Sequence, residues 1–163
     1  CLFSWQDRKE LSHTMKEYSR RDERIHLMQS FYQVFLFIEN KEDYDATEIL
    51  CLSYDVDEYD ECPVYSELVY ALGLSHFDEI KKELQKHLVN WTFDRLDNVA
   101  KGILFVAYTE GVYVKKAPRK VIINEAVALA KNFLKANDYK FINAVLDKAI
   151  PVEWSISLNT RYR

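Results

Sequence analysis

Three arginines, Arg20, Arg21 and Arg24, crowd directly behind Ser19, a residue type that caps helix starts. A helix beginning there points unpaired backbone amides and the positive end of its dipole outward, and guanidinium groups added to them make a phosphate site. Glu17, Asp22 and Glu23 stand among the arginines, so a solvated helix start with local ion pairs fits the same residues. Rings beside cations offer a second chemistry. Tyr32, with Phe141 next to Lys140, would stack a base and hold its phosphate if the first and last helices lie side by side. The alternative for each ring is burial on a helix stripe.

Other reactive side chains show no catalytic or metal-binding spacing. The acids Asp55, Asp57, Asp60 and Glu61 lack the central Gly and closing Glu of a calcium loop, which leaves a hydrated surface segment. His13, His26, His76 and His87 have no metal spacing, and Cys1, Cys51 and Cys62 are an odd number without a CxxC pair. A Gly-rich phosphate loop, a nucleophile elbow and a zinc-protease helix are all missing. No enzyme activity, cofactor or metal is therefore expected. Three thiols without a disulfide pattern fit a reduced, cytoplasmic protein, and apolar runs such as Val34 to Ile38 are far too short to span a membrane.

The elements that must carry these residues read as helices. Only three Gly and three Pro occur in 163 residues, which fits one all-α domain. Eleven Tyr and nine Phe point to aromatic packing between those helices. The first helix is expected from Ser19, with Asp22 completing an imperfect capping box, to about Ile38, with Ile25, Met28, Phe31, Tyr32, Phe35 and Ile38 inward. Residues 39–64 read as a long, mobile acidic loop with room for one short helix at Ile49 to Leu52. Further helices are expected at Glu67 to Leu72, stopped by Gly73, then behind a Ser75–Asp78 cap, and from Arg95 to Glu110, ending at Gly111. A helical hairpin closes the chain, with Ile122, Ala126, Leu129, Ala130 and Phe133 on one stripe and Phe141, Ile142, Val145, Leu146 and Ala149 on the other. The division is an N-terminal arm or short helix at 1–18, a helical domain at 19–150 and a tail at 151–163. Charge is unevenly spread: residues 39–61 carry ten acids against Lys41, while residues 113–163 hold ten Lys or Arg against four acids. Such a chain can present a basic face despite a net charge of −4.

The order of residues in the hairpin also resembles a known family. Pro118 to Val121, Ile123-Asn124-Glu125-Ala126-Val127, Leu129-Ala130-Lys131, Lys140-Phe141-Ile142-Asn143 and Val145-Leu146-Asp147-Lys148 are similar to the C-terminal signature of NusB transcription antitermination factors. The first helix adds arginines followed by Gln29-Ser30-Phe31-Tyr32, and Trp91 to Glu110 supplies a third block. The resemblance implies about seven helices in two packed subdomains. It further implies non-enzymatic binding of single-stranded boxA-like RNA, in transcription antitermination or ribosomal RNA maturation, together with a small-subunit ribosomal protein. The positions it selects for RNA are Arg20, Arg21, Arg24, Gln29, Tyr32, Lys140 and Phe141. Homodimer formation is left open.

The sequence departs from the family pattern at Phe105, where an Arg is usual, and at Ala144, where a Gly is usual. Two competing readings follow: a helical interaction module that has lost RNA binding, and an accessory domain of a ribosomal RNA cytosine methyltransferase, which would need a catalytic domain downstream.

Overall fold

The computed structural model describes residues 17–152. The expected arm at 1–18 and tail at 151–163 therefore lie almost wholly outside the described residues. Seven α-helices follow one another: α1 (Arg20–Glu39), α2 (Ala46–Tyr54), α3 (Val64–Ser75), α4 (Phe77–Gln85), α5 (Asn98–Thr109), α6 (Arg119–Phe133) and α7 (Asp138–Ala149). No strand occurs among the described residues, and no described helix is long and apolar enough to cross a membrane.

The start of α1 is fixed by a complete capping box. The Ser19 Oγ accepts from the Asp22 amide at 3.0 Å, and the Asp22 carboxylate accepts from the Ser19 amide at 3.3 Å. Leu27, Met28, Phe31, Val34 and Phe35 then face the core, whereas Ile38 at the helix end is exposed. Their chief partner is α5, where every residue from Ala100 through Gly111 is buried. A helix apolar all round belongs inside a packed domain, and α5 is that helix here. It meets α1 closely at Gly102, where an added Cβ would lie 2.7 Å from the Met28 carbonyl oxygen. Only hydrogen fits.

Two subdomains flank this pair. In the first, α2 and α3 pack on α1; in the second, α6 and α7 pack on each other and against α5, while α4 also packs on α5. Phe105 explains itself in this setting. It is fully buried, with ring centroids of Phe35 at 4.9 Å, Phe77 at 5.0 Å, Phe31 at 5.6 Å and Phe93 at 5.7 Å. Five rings at tilted and edge-on angles form the aromatic centre that the composition led one to expect. Ala144, by contrast, is exposed, so the methyl group that replaces the family's Gly disturbs no contact.

Several boundaries need correction. The segment 39–64 holds the short helix it had room for, longer than expected at Ala46–Tyr54, and the stretch behind that helix packs on the core in place of a long free loop. Asp45 caps α2 by accepting from the amides of Thr47 and Glu48, and α2 buries Ile49, Leu50, Cys51 and Tyr54. A 3-10 turn at Tyr59–Glu61 follows, Val56 and Tyr59 rest on the core, and Cys62 is buried. Burial raises the pKa of the Cys62 thiol to about 12. Gly73 does not stop a helix; it lies inside α3, where an added Cβ would be 2.5 Å from the Phe31 ring. The Ser75–Asp78 cap is not formed, since Ser75 donates back to the Leu72 carbonyl and His76 precedes α4. At α5, Asp97 caps the start and a π-turn at Glu110–Val114 prolongs the end through Gly111. Of the hairpin stripe, Leu129 is buried but Phe133, the last residue of α6, is 44 % exposed.

Candidate nucleic-acid interface

The three arginines occupy three different environments. A helix turns 100° per residue, so Arg20 and Arg24 lie on one face a turn apart while Arg21 points aside; what sorts them is the partner each meets. Arg24 points inward and is 5 % exposed. Its Nε and Nη2 donate to the Glu110 carboxylate at 2.8 and 3.0 Å, a two-pronged pair between α1 and the π-turn that spans 86 residues of sequence. Burial disfavours the guanidinium charge, but the paired hydrogen bonds and the charge of Glu110 outweigh it, so the Arg24 pKa is raised. Glu110 also accepts from the Tyr65 hydroxyl. Burial beside that carboxylate drives the Tyr65 pKa upward.

Arg20 remains at the surface. Its Cζ lies 3.4 Å from the centroid of the Tyr65 ring, and Nη1 reaches Glu23 only at 3.5 Å. Glu23 is engaged elsewhere, by the Ser66 hydroxyl at 3.0 Å, and Ser66 is hydrogen-bonded in turn to the Tyr54 hydroxyl at 2.6 Å. Arg21 is more exposed still, yet its Nε and Nη2 both donate to Glu125 of α6 at 3.0 Å. That hydrogen bonding lowers the Glu125 pKa and raises that of Arg21.

Arg24 as a phosphate ligand is thus corrected: its charge is buried and neutralised by Glu110. The alternative of local ion pairs is met only by Arg20 with Glu23 at 3.5 Å, because the acid that holds Arg21 comes from α6. The second constellation does not assemble as expected either. Among the described residues α1 packs on α2, α3 and α5, whereas α7 packs on α6, α5 and α4, so Tyr32 is not placed beside Lys140 and Phe141. Tyr32 is half-buried on α1. Lys140 is exposed on the first turn of α7, and Phe141 is half-buried against the core with one side left open. Close by, the Lys131 ammonium sits 4.7 Å from the Tyr139 ring and bridges α6 to α7. Gln29 faces a groove of about 670 Å³ between α1 and α2, lined by Phe37, Tyr44 and Leu52 and rimmed by Asp43, Asp45 and Glu48. That acidic rim repels phosphate. Among the described residues no group of His, Cys, Asp and Glu is arranged to hold a metal ion.

The NusB family model matches residues 21–151. The chain belongs to the NusB family. Transcription antitermination protein NusB of Bacillus subtilis (strain 168) is 35% identical over 130 residues, covering 78% of this chain and 91% of that protein. The protein of the same name from Finegoldia magna is 31% identical over 142 residues, covering 86% and 99%. Among solved structures, T. maritima NusB superposes with a TM-score of 0.71 at 23% identity, covering 85% of this chain and 98% of that one. A crystal structure of antitermination factors NusB and NusE in complex with dsRNA gives a TM-score of 0.64 at 20% identity, covering 80% and 95%. At these identities the two structures speak for the fold.

Within this NusB fold, Glu110, Tyr65 and Glu125 are the residues that local spacing did not single out. Glu110 pairs over 86 residues, Tyr65 reads as an ordinary first-turn aromatic of α3, and Glu125 belongs to a helix remote in sequence from Arg21. One signal was present for Glu110. It is the lone acid in an apolar stretch from Ile103 to Val114, and a lone buried charge requires a partner.

Proposed function

We propose that this chain is a non-enzymatic RNA-binding factor of the antitermination type, acting on single-stranded RNA together with a small-subunit ribosomal protein in the cytoplasm. The observation that carries this reading is the likeness to proteins named as transcription antitermination factors, which extends over 91% of the Bacillus subtilis protein. The geometry is compatible with it. Arg20 lies in the first turn of α1 with its guanidinium over the Tyr65 ring, and Lys140 beside Phe141 offers a cation and a ring on α7.

The test is a titration of labelled boxA-like single-stranded RNA at two salt concentrations. Loss of one phosphate contact flattens the log–log salt slope by roughly 0.7, so Arg20→Ala should weaken binding and flatten the slope. Phe141→Leu should cost about 1–3 kcal/mol of stacking with the slope unchanged. The interaction-module reading draws on one observation: Arg24 and Arg21 are both held by carboxylates. Absence of wild-type binding at low salt, with and without the ribosomal protein, would favour that module and reject the RNA-binding reading.

A further inference from the structure

The three arginines of the α1 start differ in how many N–H donors they can offer a ligand. Arg24 has two donors on Glu110 and is almost wholly buried. Arg21 is accessible, but its forked edge, Nε with Nη2, is closed by Glu125 at 3.0 Å on both prongs. Arg20 is the contrasting case. A guanidinium lying 3.4 Å over a ring centroid touches the ring with its face, and a face contact leaves the N–H groups pointing outward in the guanidinium plane. Only Nη1 has a described partner, at the long distance of 3.5 Å to Glu23. The Nε and Nη2 edge of Arg20, the edge that matches a phosphate in two-pronged fashion, is open.

The shelf beneath Arg20 is firmly held. Tyr65 is 8 % exposed, its hydroxyl is bonded to Glu110, and Glu110 is itself clamped by Arg24. The next residue, Ser66, is fully buried and ties the start of α3 to Glu23. We propose that Tyr65 is a positioning residue that presents Arg20 to an RNA phosphate, and that Glu125 acts as a competing acceptor that withholds Arg21 from the same strand. This rests on the RNA-binding reading above. The two arginines then play unequal parts: Arg20 is poised to bind, and Arg21 binds only when a phosphate displaces the Glu125 carboxylate.

The experiment titrates the full chain with a fluorescein-labelled, boxA-like single-stranded oligoribonucleotide at low and moderate salt. Tyr65→Leu and Arg20→Ala should each weaken binding roughly three- to tenfold and flatten the salt slope by roughly 0.7, with the double variant no weaker than Arg20→Ala alone. Tyr65→Phe, which keeps the ring, should retain wild-type binding and slope. Glu125→Gln should tighten binding roughly threefold or more and steepen the slope, because Arg21 is released. A Tyr65→Phe variant as weak as Tyr65→Leu would overturn the shelf, since a purely structural role does not follow ring retention. If Tyr65→Leu fails to fold, the surface changes Arg20→Ala and Glu125→Gln decide: no loss in the first or no gain in the second overturns the proposal while wild-type binding keeps the RNA-binding reading. Wild-type protein that binds no RNA at all overturns both.

Discussion

Removing the guanidinium of Arg24 is the sharpest perturbation of this fold. The side chains of Arg24 and Glu110 are 6% and 1% exposed and meet in two hydrogen bonds of 2.8 and 3.0 Å. Arg24→Met keeps most of the apolar stem and strands the carboxylate with the Tyr65 hydroxyl as its remaining described partner. Breaking a buried pair on one side costs about 3–5 kcal/mol, because an uncompensated charge stays behind. For a domain of this size that corresponds to a Tm lowered by roughly 6–20 °C. Arg24→Met/Glu110→Gln leaves a neutral amide that still accepts from Tyr65, so the double variant should recover most of the loss. Urea unfolding followed by far-UV circular dichroism at pH 7 measures both variants. A loss under about 1 kcal/mol in the single variant, or a double variant weaker than the single, would refute the reasoning.

Other consequences are read from the same packing. Gly102→Ala should destabilise by about 1–3 kcal/mol, because the new methyl would press on the Met28 backbone carbonyl, which cannot rotate aside as a side chain can; an unchanged urea midpoint would contradict the close approach of α1 and α5. Leu129→Ala, deep in the α6 stripe, should cost about 2–5 kcal/mol in the same assay. Trimming Asp55 to Glu61 to a Gly-Ser link should lower the Tm measurably, since Val56 and Tyr59 rest on the core. At alkaline pH the buried Tyr54, Tyr65 and Tyr70 resist ionisation because burial holds their pKa values above the ordinary 10. Stability is full below pH 10 and declines as pH rises toward the folded values, by about 1.4 kcal/mol per pH unit for each tyrosine. Tyr65→Phe should make that decline shallower in a thermal-melt series.

Where apolar residues recurred at three- and four-residue steps over three turns or more, the helices could be read directly: α1, α6 and α7 lie close to where their stripes placed them. The segment 39–64 was legible only as far as its short helix, because ten acids dominate its composition while five buried side chains, Ile49, Leu50, Cys51, Tyr54 and Cys62, decide its structure. Gly73 misled for a related reason. A glycine after an apolar run looks like a helix stop, yet this one is small so that Phe31 can approach. Phe133 has the right spacing for burial but is the last residue of α6 and stays exposed. At the candidate site the arginine cluster was visible, and its sorting was not. Which arginine is buried, clamped or shelved depends on Glu110, Glu125 and Tyr65, and these reach α1 from three distant places in the chain.

The pairing of α1 with α5 sets an order of events during synthesis. Arg24 waits for a partner 86 residues later, which at ribosomal speeds of about 5–20 residues per second means roughly 4–17 s. Until then α1, α2 and α3 have their apolar faces and no central helix to cover them, and the long loop between α1 and α5 must close before burial can repay its entropy. A nascent chain arrested after Ser75 should accordingly be sensitive to protease, and one arrested well past Val114 resistant. The arginine cluster is translated early and takes its working geometry late: Tyr65 is steadied, and Arg20 with it, only once Glu110 has arrived.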